Sequence, residues 1–281
     1  MKCRIILTGL VLAFIKLPVT AQVVDRTQLA VSDTISDIND ELMPGVTNIR
    51  LGLEPTISPD YDGSDDYNIS IKPLISLQYR DLIQIDNNNI RINLFGDDGL
   101  FHSHNFKAGP LIKVDFGRSE NDNASLAGMG DVGTSIELGL FASYPLDNLT
   151  RARMRLVQDT TSGHSGMKIM GDVRTILYKA NSFTIIGSVI STWADNKYLD
   201  SYFSLNAVQS QRTGLPEFDA GSGIKDISLA LSTNYSLTRH WDLLSNFGYT
   251  RLVGDAKKSP LVSIRGTADQ FSAGFFAIYT F

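Results

Sequence analysis

Cysteine is almost missing from this 281-residue chain: Cys3 is the one thiol, and it stands in a charged N-terminal stretch. A disulfide-stapled secreted domain, a thiolate metal centre and a cysteine nucleophile are thereby excluded from the body of the protein. No run of 18 apolar residues follows the first segment, so the chain offers no spanning helix. Excess positive charge is missing too. With 25 Lys+Arg against 30 Asp+Glu the formal charge is -5, which does not suit nucleic acid as a partner. At 43% hydrophobic residues and 20% charged the chain is too apolar to be disordered, although its mean hydropathy is only -0.03. A membrane β-barrel is compatible with all of this, because only every second residue of its strands need be apolar.

The N-terminus gives the compartment. Lys2 and Arg4 precede an apolar stretch from Ile5 to Ile15, and Val19-Thr20-Ala21 offers a small-x-small cleavage site before Gln22. Lys16 and Pro18 interrupt the run too early for a membrane anchor, and Cys3 is not placed for lipid attachment. The reading is a signal peptide over 1–21, a polar, Asp-rich periplasmic tail over 22–45, and a barrel over 46–281. Cleavage would remove Lys2, Arg4 and Lys16 and leave the exported chain more acidic still.

The period of the body is two. Phe271, Ala273, Phe275, Ala277, Tyr279 and Phe281 share one face, as do Ile136, Leu138, Leu140, Ala142 and Tyr144, and Ile227, Leu229, Leu231, Thr233 and Tyr235. A soluble sandwich gives the same alternation; export and connection lengths favour the barrel. Short breaks near 79–81, 145–148, 179–181 and 238–240 alternate with long polar stretches at 57–66, 117–131, 158–166, 193–224 and 253–268, as periplasmic turns alternate with outer loops. The expected fold is all-β, an antiparallel transmembrane barrel of the outer-membrane type. It has about 12 strands, near 46–56, 67–79, 82–86, 90–95, 104–116, 132–144, 149–157, 167–178, 182–192, 225–237, 241–252 and 269–281. Ten strands result if 82–95 is an irregular excursion.

Candidate chemistry is sparse. Asp60, Asp62, Asp65 and Asp66 are carboxylates for a hard cation, but Asp65 stands where the EF-hand loop needs Gly; a solvated loop or one pairing with lumen-facing arginines is the simpler reading. Gly163-His164-Ser165-Gly166 joins a base and a hydroxyl without an orienting third group, so a tight loop is favoured over nucleophilic catalysis. His102 and His104, two apart, can share a face toward a transition metal, with no third ligand evident nearby. Arg151, Arg153 and Arg155 on one face either select anions in a pore or form internal salt bridges to Asp115, Glu137 and Asp172. Trp193, Tyr198, Tyr202 and Phe203 in the long stretch 193–224 are either a partner site at the outer mouth or an inward plug; Gln209–Gly214 reads as a small helix with a Gly stop. No catalytic, cofactor-binding or metal site is assigned.

Several blocks carry a resemblance. Pro59-Asp60-Tyr61-Asp62-Gly63-Ser64-Asp65-Asp66-Tyr67 with Lys72-Pro73-Leu74, then Ala108-Gly109-Pro110, Phe116-Gly117-Arg118, Gly163-His164-Ser165-Gly166, and Thr192-Trp193-Ala194-Asp195 belong to it. So do Gly214-Leu215-Pro216 through Gly223, Leu252-Val253-Gly254-Asp255, Ser259-Pro260-Leu261-Val262 and Asp269 to Gly274 with Phe281. Together they resemble the MipA/OmpV family of outer-membrane proteins from about residue 46 onward. The resemblance implies a noncatalytic barrel in outer-membrane lipid, Phe281 as an aromatic presented to the barrel assembly machinery, and a scaffold joining a murein-cleaving lytic transglycosylase to a murein synthase. Other members are described as surface antigens or as taking part in adhesion. A narrow or specific diffusion channel is the competing function, and conductance separates it from a scaffold.

Overall fold

The computed structural model describes residues 47–281; the expected signal peptide and tail lie outside the described residues. One continuous antiparallel sheet is rolled into a barrel. Its long strands are β1 (Asn48–Pro59), β2 (Tyr67–Tyr79), the short pair β3 (Ile83–Asp86) and β4 (Asn89–Ile92), two two-residue pieces β5 (Phe95–Gly96) and β6 (Phe101–His102), and β7 (Lys107–Asp115). They continue as β8 (Ser135–Pro145), β9 (Thr150–Asp159), β10 (Met167–Ala180), β11 (Phe183–Ala194), β12 (Gly223–Ser236), β13 (Trp241–Leu252) and β14 (Asp269–Thr280).

Closure is made at two seams. β1 pairs with β14, Arg50 opposite Thr280 and Ile57 opposite Ala273, and β4 pairs with β7, Asn89 opposite Lys113 and Arg91 opposite Leu111. With β5 and β6 left as appendages, the closed wall has twelve strands. The segment 82–95 therefore is a true strand pair, but a stunted one. β3 meets only Ser76 to Tyr79 of β2, and Asn87 caps it by donating from its N–H to the Ile75 carbonyl. Outward of that point no described strand pairs with Tyr67 to Leu74 on this edge of β2, so the wall has a notch in its outer half.

The alternation sorts water from lipid. Leu53, Leu140, Leu229, Phe247 and Phe275 point outward and exposed, while Asn48, Ser76, Ser228, Ser232, Asn234, Asn246 and Gln270 point inward and are buried. Each outward apolar side chain is stable only against acyl chains. Aromatic side chains mark both edges of the apolar band. Trp241 and Tyr249 on β13, and Phe271 and Tyr279 on β14, stand eight residues apart, about 27 Å along a strand at ~3.4 Å per residue. That matches a ~25 Å apolar band flanked by aromatic girdles. The short turns, including 145–149, 180–182 and 237–240, lie at the end that carries Phe281 together with one longer connection, 93–106, and the other long connections lie at the opposite end. By the usual asymmetry the first end is periplasmic and the second is the outer mouth. Among the described residues no helix is long and apolar enough to cross a membrane.

Candidate functional site

The outer connections do not splay into solvent. They fold into four short helices, α1 (Asn196–Phe203), α2 (Ala207–Thr213), α3 (Gly254–Lys258) and α4 (Pro260–Ser263). Asp195 starts α1 by accepting from Tyr198 N–H at 2.9 Å. Asn206 and Gln209 form a reciprocal capping box on α2, and Gly214 ends it at φ 73°. The expected Gly stop is there, with the helix beginning two residues earlier than the segment read from sequence.

These helices carry an apolar core across the mouth. Tyr198, Leu199, Tyr202 and Phe203 pack with Ala194, Leu252, Ala256 and Val262. A second cluster joins Tyr61 of the first outer loop to Leu126, Met129, Leu205, Leu215 and Leu261, and Phe218 touches both. Ser259 donates its hydroxyl to the Phe203 carbonyl at 2.6 Å, and the buried Arg118 donates to the Tyr202 carbonyl at 2.8 Å. Burial pushes the Tyr202 phenol well above its ordinary value, and the Asp115 carboxylate beside it adds to this. Two glycines permit the packing. Gly166 lies against the start of α1, where a Cβ would run into Tyr198 N and Asp195 Oδ1, and Gly63, at φ 104°, faces Val262 where a Cβ would collide.

Beneath the plug the lumen is filled by ion pairs. Glu137 accepts from His164 Nε2 at 3.0 Å and pairs with Lys113 at 3.3 Å and Lys168 at 2.9 Å; Lys168 also reaches Asp115 at 2.9 Å. Asp115 accepts from Tyr202 Oη at 3.3 Å, and Lys168 stands 4.7 Å from the Tyr198 ring centroid, so belt and plug interlock. Further toward the periplasm Asp172 is shared by Arg153 at 3.2 Å, Arg155 at 2.9 Å and Arg174 at 3.1 Å. Nine Lys or Arg and nine Asp or Glu side chains are buried among the described residues.

The residues singled out in the sequence therefore divide. Arg153 and Arg155 find Asp172; Arg151 donates instead to Ser143 Oγ at 3.3 Å, and Glu137 and Asp115 take lysines rather than arginines. Register is the reason, since Lys113 lies directly opposite Glu137 and Arg153 opposite Asp172. Tyr198, Tyr202 and Phe203 turn inward into the plug. Trp193 separates from them: it is the penultimate residue of β11, on the face that looks outward, next to a register shift between Thr192 and Trp193. Phe281 sits at the periplasmic rim, 67% exposed, with its ring edge on Tyr279.

Two further sequence candidates change character. Asp62 is bound by buried Lys225 at 2.7 Å, whereas Asp60 and Asp66 come together on Asn123 Nδ2, at 2.7 and 3.1 Å, so protein donors meet three of the four aspartates. His164 is buried, and both its ring nitrogens are engaged: Nδ1 accepts from Gly166 N–H at 3.0 Å, which leaves the proton on Nε2 for Glu137. That arrangement leaves no ring nitrogen to activate a hydroxyl or to ligate a metal. His102 and His104 do come together, and Asp97 joins them, a third group that sequence spacing did not supply.

Three solved structures to which the chain is similar share little sequence with it. The KdgM porin is 9% identical with a TM-score of 0.45, covering 83% of this chain and 99% of that one. The NanC porin is 12% identical with a TM-score of 0.44 and the same coverage. An outer membrane channel from Pseudomonas putida F1 is 12% identical with a TM-score of 0.44, covering 85% of this chain and 97% of that one. No curated protein matches the sequence. The family profile described as MltA-interacting protein MipA matches residues 51–281. With its closed twelve-strand wall, lipid-facing apolar stripe and aromatic girdles, the chain is an outer-membrane β-barrel protein, and it belongs to the MltA-interacting protein MipA family.

Proposed function

We propose that this protein is a closed, noncatalytic barrel that serves as a docking scaffold for murein-remodelling enzymes, a lytic transglycosylase and a murein synthase, at its periplasmic rim. One observation carries the reading: the outer mouth holds a packed apolar core of loop residues, and the lumen beneath it carries paired charges. A barrel filled in this way is suited to binding at its faces more than to passage through its centre. The name of the family, which speaks of an interaction with MltA, supports a protein partner. On the periplasmic side the turn 145–149 presents exposed Leu146 and Leu149 beside a crevice of about 250 Å³ lined by Asp147, Asn148, Arg151 and Arg174. In the same proposal the exposed ring of Phe281 is the contact for the assembly machinery.

The test is retention of a purified lytic transglycosylase by the protein in lipid nanodiscs. Retention is expected, and is expected to survive deletion of residues 200–213, because that segment lies at the opposite mouth. Charge reversal at Asp147 combined with Leu146→Ser and Leu149→Ser should abolish it. A wild-type barrel that retains no enzyme would sink the scaffold reading and leave the diffusion channel as the alternative.

A further inference from the structure

The segment between β4 and β7, residues 93–106, is a built structure on the periplasmic rim. Asn93 donates to the Asp81 carbonyl at 2.6 Å, Asp97 N–H donates to Asp81 Oδ2 at 3.0 Å, and Lys107 holds Asp81 Oδ1 at 2.5 Å. Arg80 pairs with Asp98 at 2.6 Å. β5 and β6 lie parallel, and Phe95 stacks on Phe101 with ring centroids 4.9 Å apart. This short parallel pairing brings Asp97 back against the residues that follow β6.

Two imidazoles are thereby fixed in one tautomer. His102 Nδ1 lies 2.8 Å from the Asp97 carbonyl oxygen, which can only accept, so Nδ1 carries the proton. His104 Nδ1 lies 2.7 Å from Asp97 Oδ1, a carboxylate oxygen that likewise accepts. With both rings neutral the remaining nitrogens, both Nε2, carry lone pairs, and they face each other at 3.1 Å with the rings nearly perpendicular, at 85°. Two lone pairs at that separation repel unless a cation lies beside them. Two Zn–N bonds of ~2.0–2.1 Å at a tetrahedral angle set their nitrogens about 3.3 Å apart, within a few tenths of the spacing seen here. A carbonyl or carboxylate behind each Nδ1–H is the arrangement that orients metal-bound histidines and raises their basicity.

We propose that His102 and His104 form a two-imidazole site for a divalent transition ion of the zinc or copper class, with Asp97 as the positioning residue and the remaining coordination places open to the periplasm. Imidazole donors favour such ions over calcium or magnesium. The buried trio Asp115, Glu137 and His164 differs, because Lys113 and Lys168 already supply its positive charge and neither nitrogen of His164 is open.

The experiment uses the full barrel, prepared without a polyhistidine tag, stripped of metal and titrated with Zn²⁺ alone by calorimetry. One ion per chain is expected, with X-ray absorption of the loaded protein showing two imidazole nitrogens in its coordination sphere. His102→Ala and His104→Ala should each weaken binding at least tenfold, and Asp97→Asn by about tenfold, as for lost outer-shell partners of metal-bound histidine. His240→Ala should bind as the wild type does. Heat-modifiable migration of every variant checks that the barrel has folded. Wild-type protein that binds no stoichiometric Zn²⁺, because the two rings share a proton instead, would overturn the proposal, as would undiminished binding by folded His102→Ala/His104→Ala protein.

Discussion

Single positions in the lumen carry more energy than their polarity suggests. Asp172 is the shared counter-ion of Arg153, Arg155 and Arg174, so Asp172→Asn leaves three guanidinium groups confined together. The expected loss is about 3–5 kcal/mol, read from urea unfolding in bilayers, whereas breaking an exposed ion pair such as Arg251 with Asp269 should cost far less, since solvent screens it. Outward residues obey a different rule. Leu229, 53% exposed, stands midway along β12, and Leu237 stands beside the periplasmic turn. Leu229→Arg should cost about 2–4 kcal/mol and Leu237→Arg about 0–1 kcal/mol in the same assay. Equal costs at the two positions would mean that the band of lipid contact has been misplaced. The inward or outward sense of such residues was legible because a period of two needs no tertiary knowledge. The partners of the inward charges were not. Arg151, Arg153 and Arg155 look equivalent in sequence, yet register sets only Arg153 directly opposite Asp172, while Arg155 reaches Asp172 and Arg151 reaches Ser143 from diagonal positions.

At the scale of elements, the long strands β8 to β14 were readable within a few residues, since each combines alternation with a turn signal. β3 and β4 were harder, because four residues hold barely two apolar positions. β11 runs to Ala194, two residues beyond the expected end, and this is what takes Trp193 out of the loop and onto the wall. The plug had no local signature, as its core is assembled from residues near 61, 126, 199, 215 and 261 that meet only in the closed barrel. Its loops are also fastened by carboxylates. Asp131 accepts from Glu120 N–H at 2.7 Å and from the Ser119 hydroxyl at 3.0 Å, and these bonds hold its carboxyl below the usual range. A depressed folded-state value contributes stability that is complete above about pH 4, the ordinary carboxylate value, and is lost as pH falls through the lowered one. Pepsin cleavage of the 117–131 loop, normalised at each pH to an unfolded substrate, should therefore increase as acidity rises, with Asp131→Asn starting higher and rising less, because acid still neutralises the Glu120 and Asp122 carboxylates that fasten the same loop. Loosening on raising the pH would contradict the assignment. Phe203→Ala should remove about 3–5 kcal/mol from the plug, the usual cost of deleting a buried aromatic side chain, seen as earlier thermal exposure of the outer loops to protease.

The whole molecule is a lipid-facing cylinder whose interior, in the proposed reading, is closed twice, by ion pairs along its length and by an apolar lid at the outer mouth. Fold and membrane placement follow from alternation, connection lengths and an even strand count, which the sequence displays, and the aromatic girdles emerge once the strands are in register. Closure of the lumen does not, because it depends on which inward charges meet and on whether loops fold in or out. The proposed scaffold role depends on that closure. Single-channel recording in planar bilayers addresses it most directly. The intact barrel is expected to show no sustained open level, and deletion of residues 200–213, which removes Tyr202 and Phe203 along with α2, should produce noisy openings while heat-modifiable migration shows the wall still folded. A steady, ion-conducting open state in the intact protein would contradict the account.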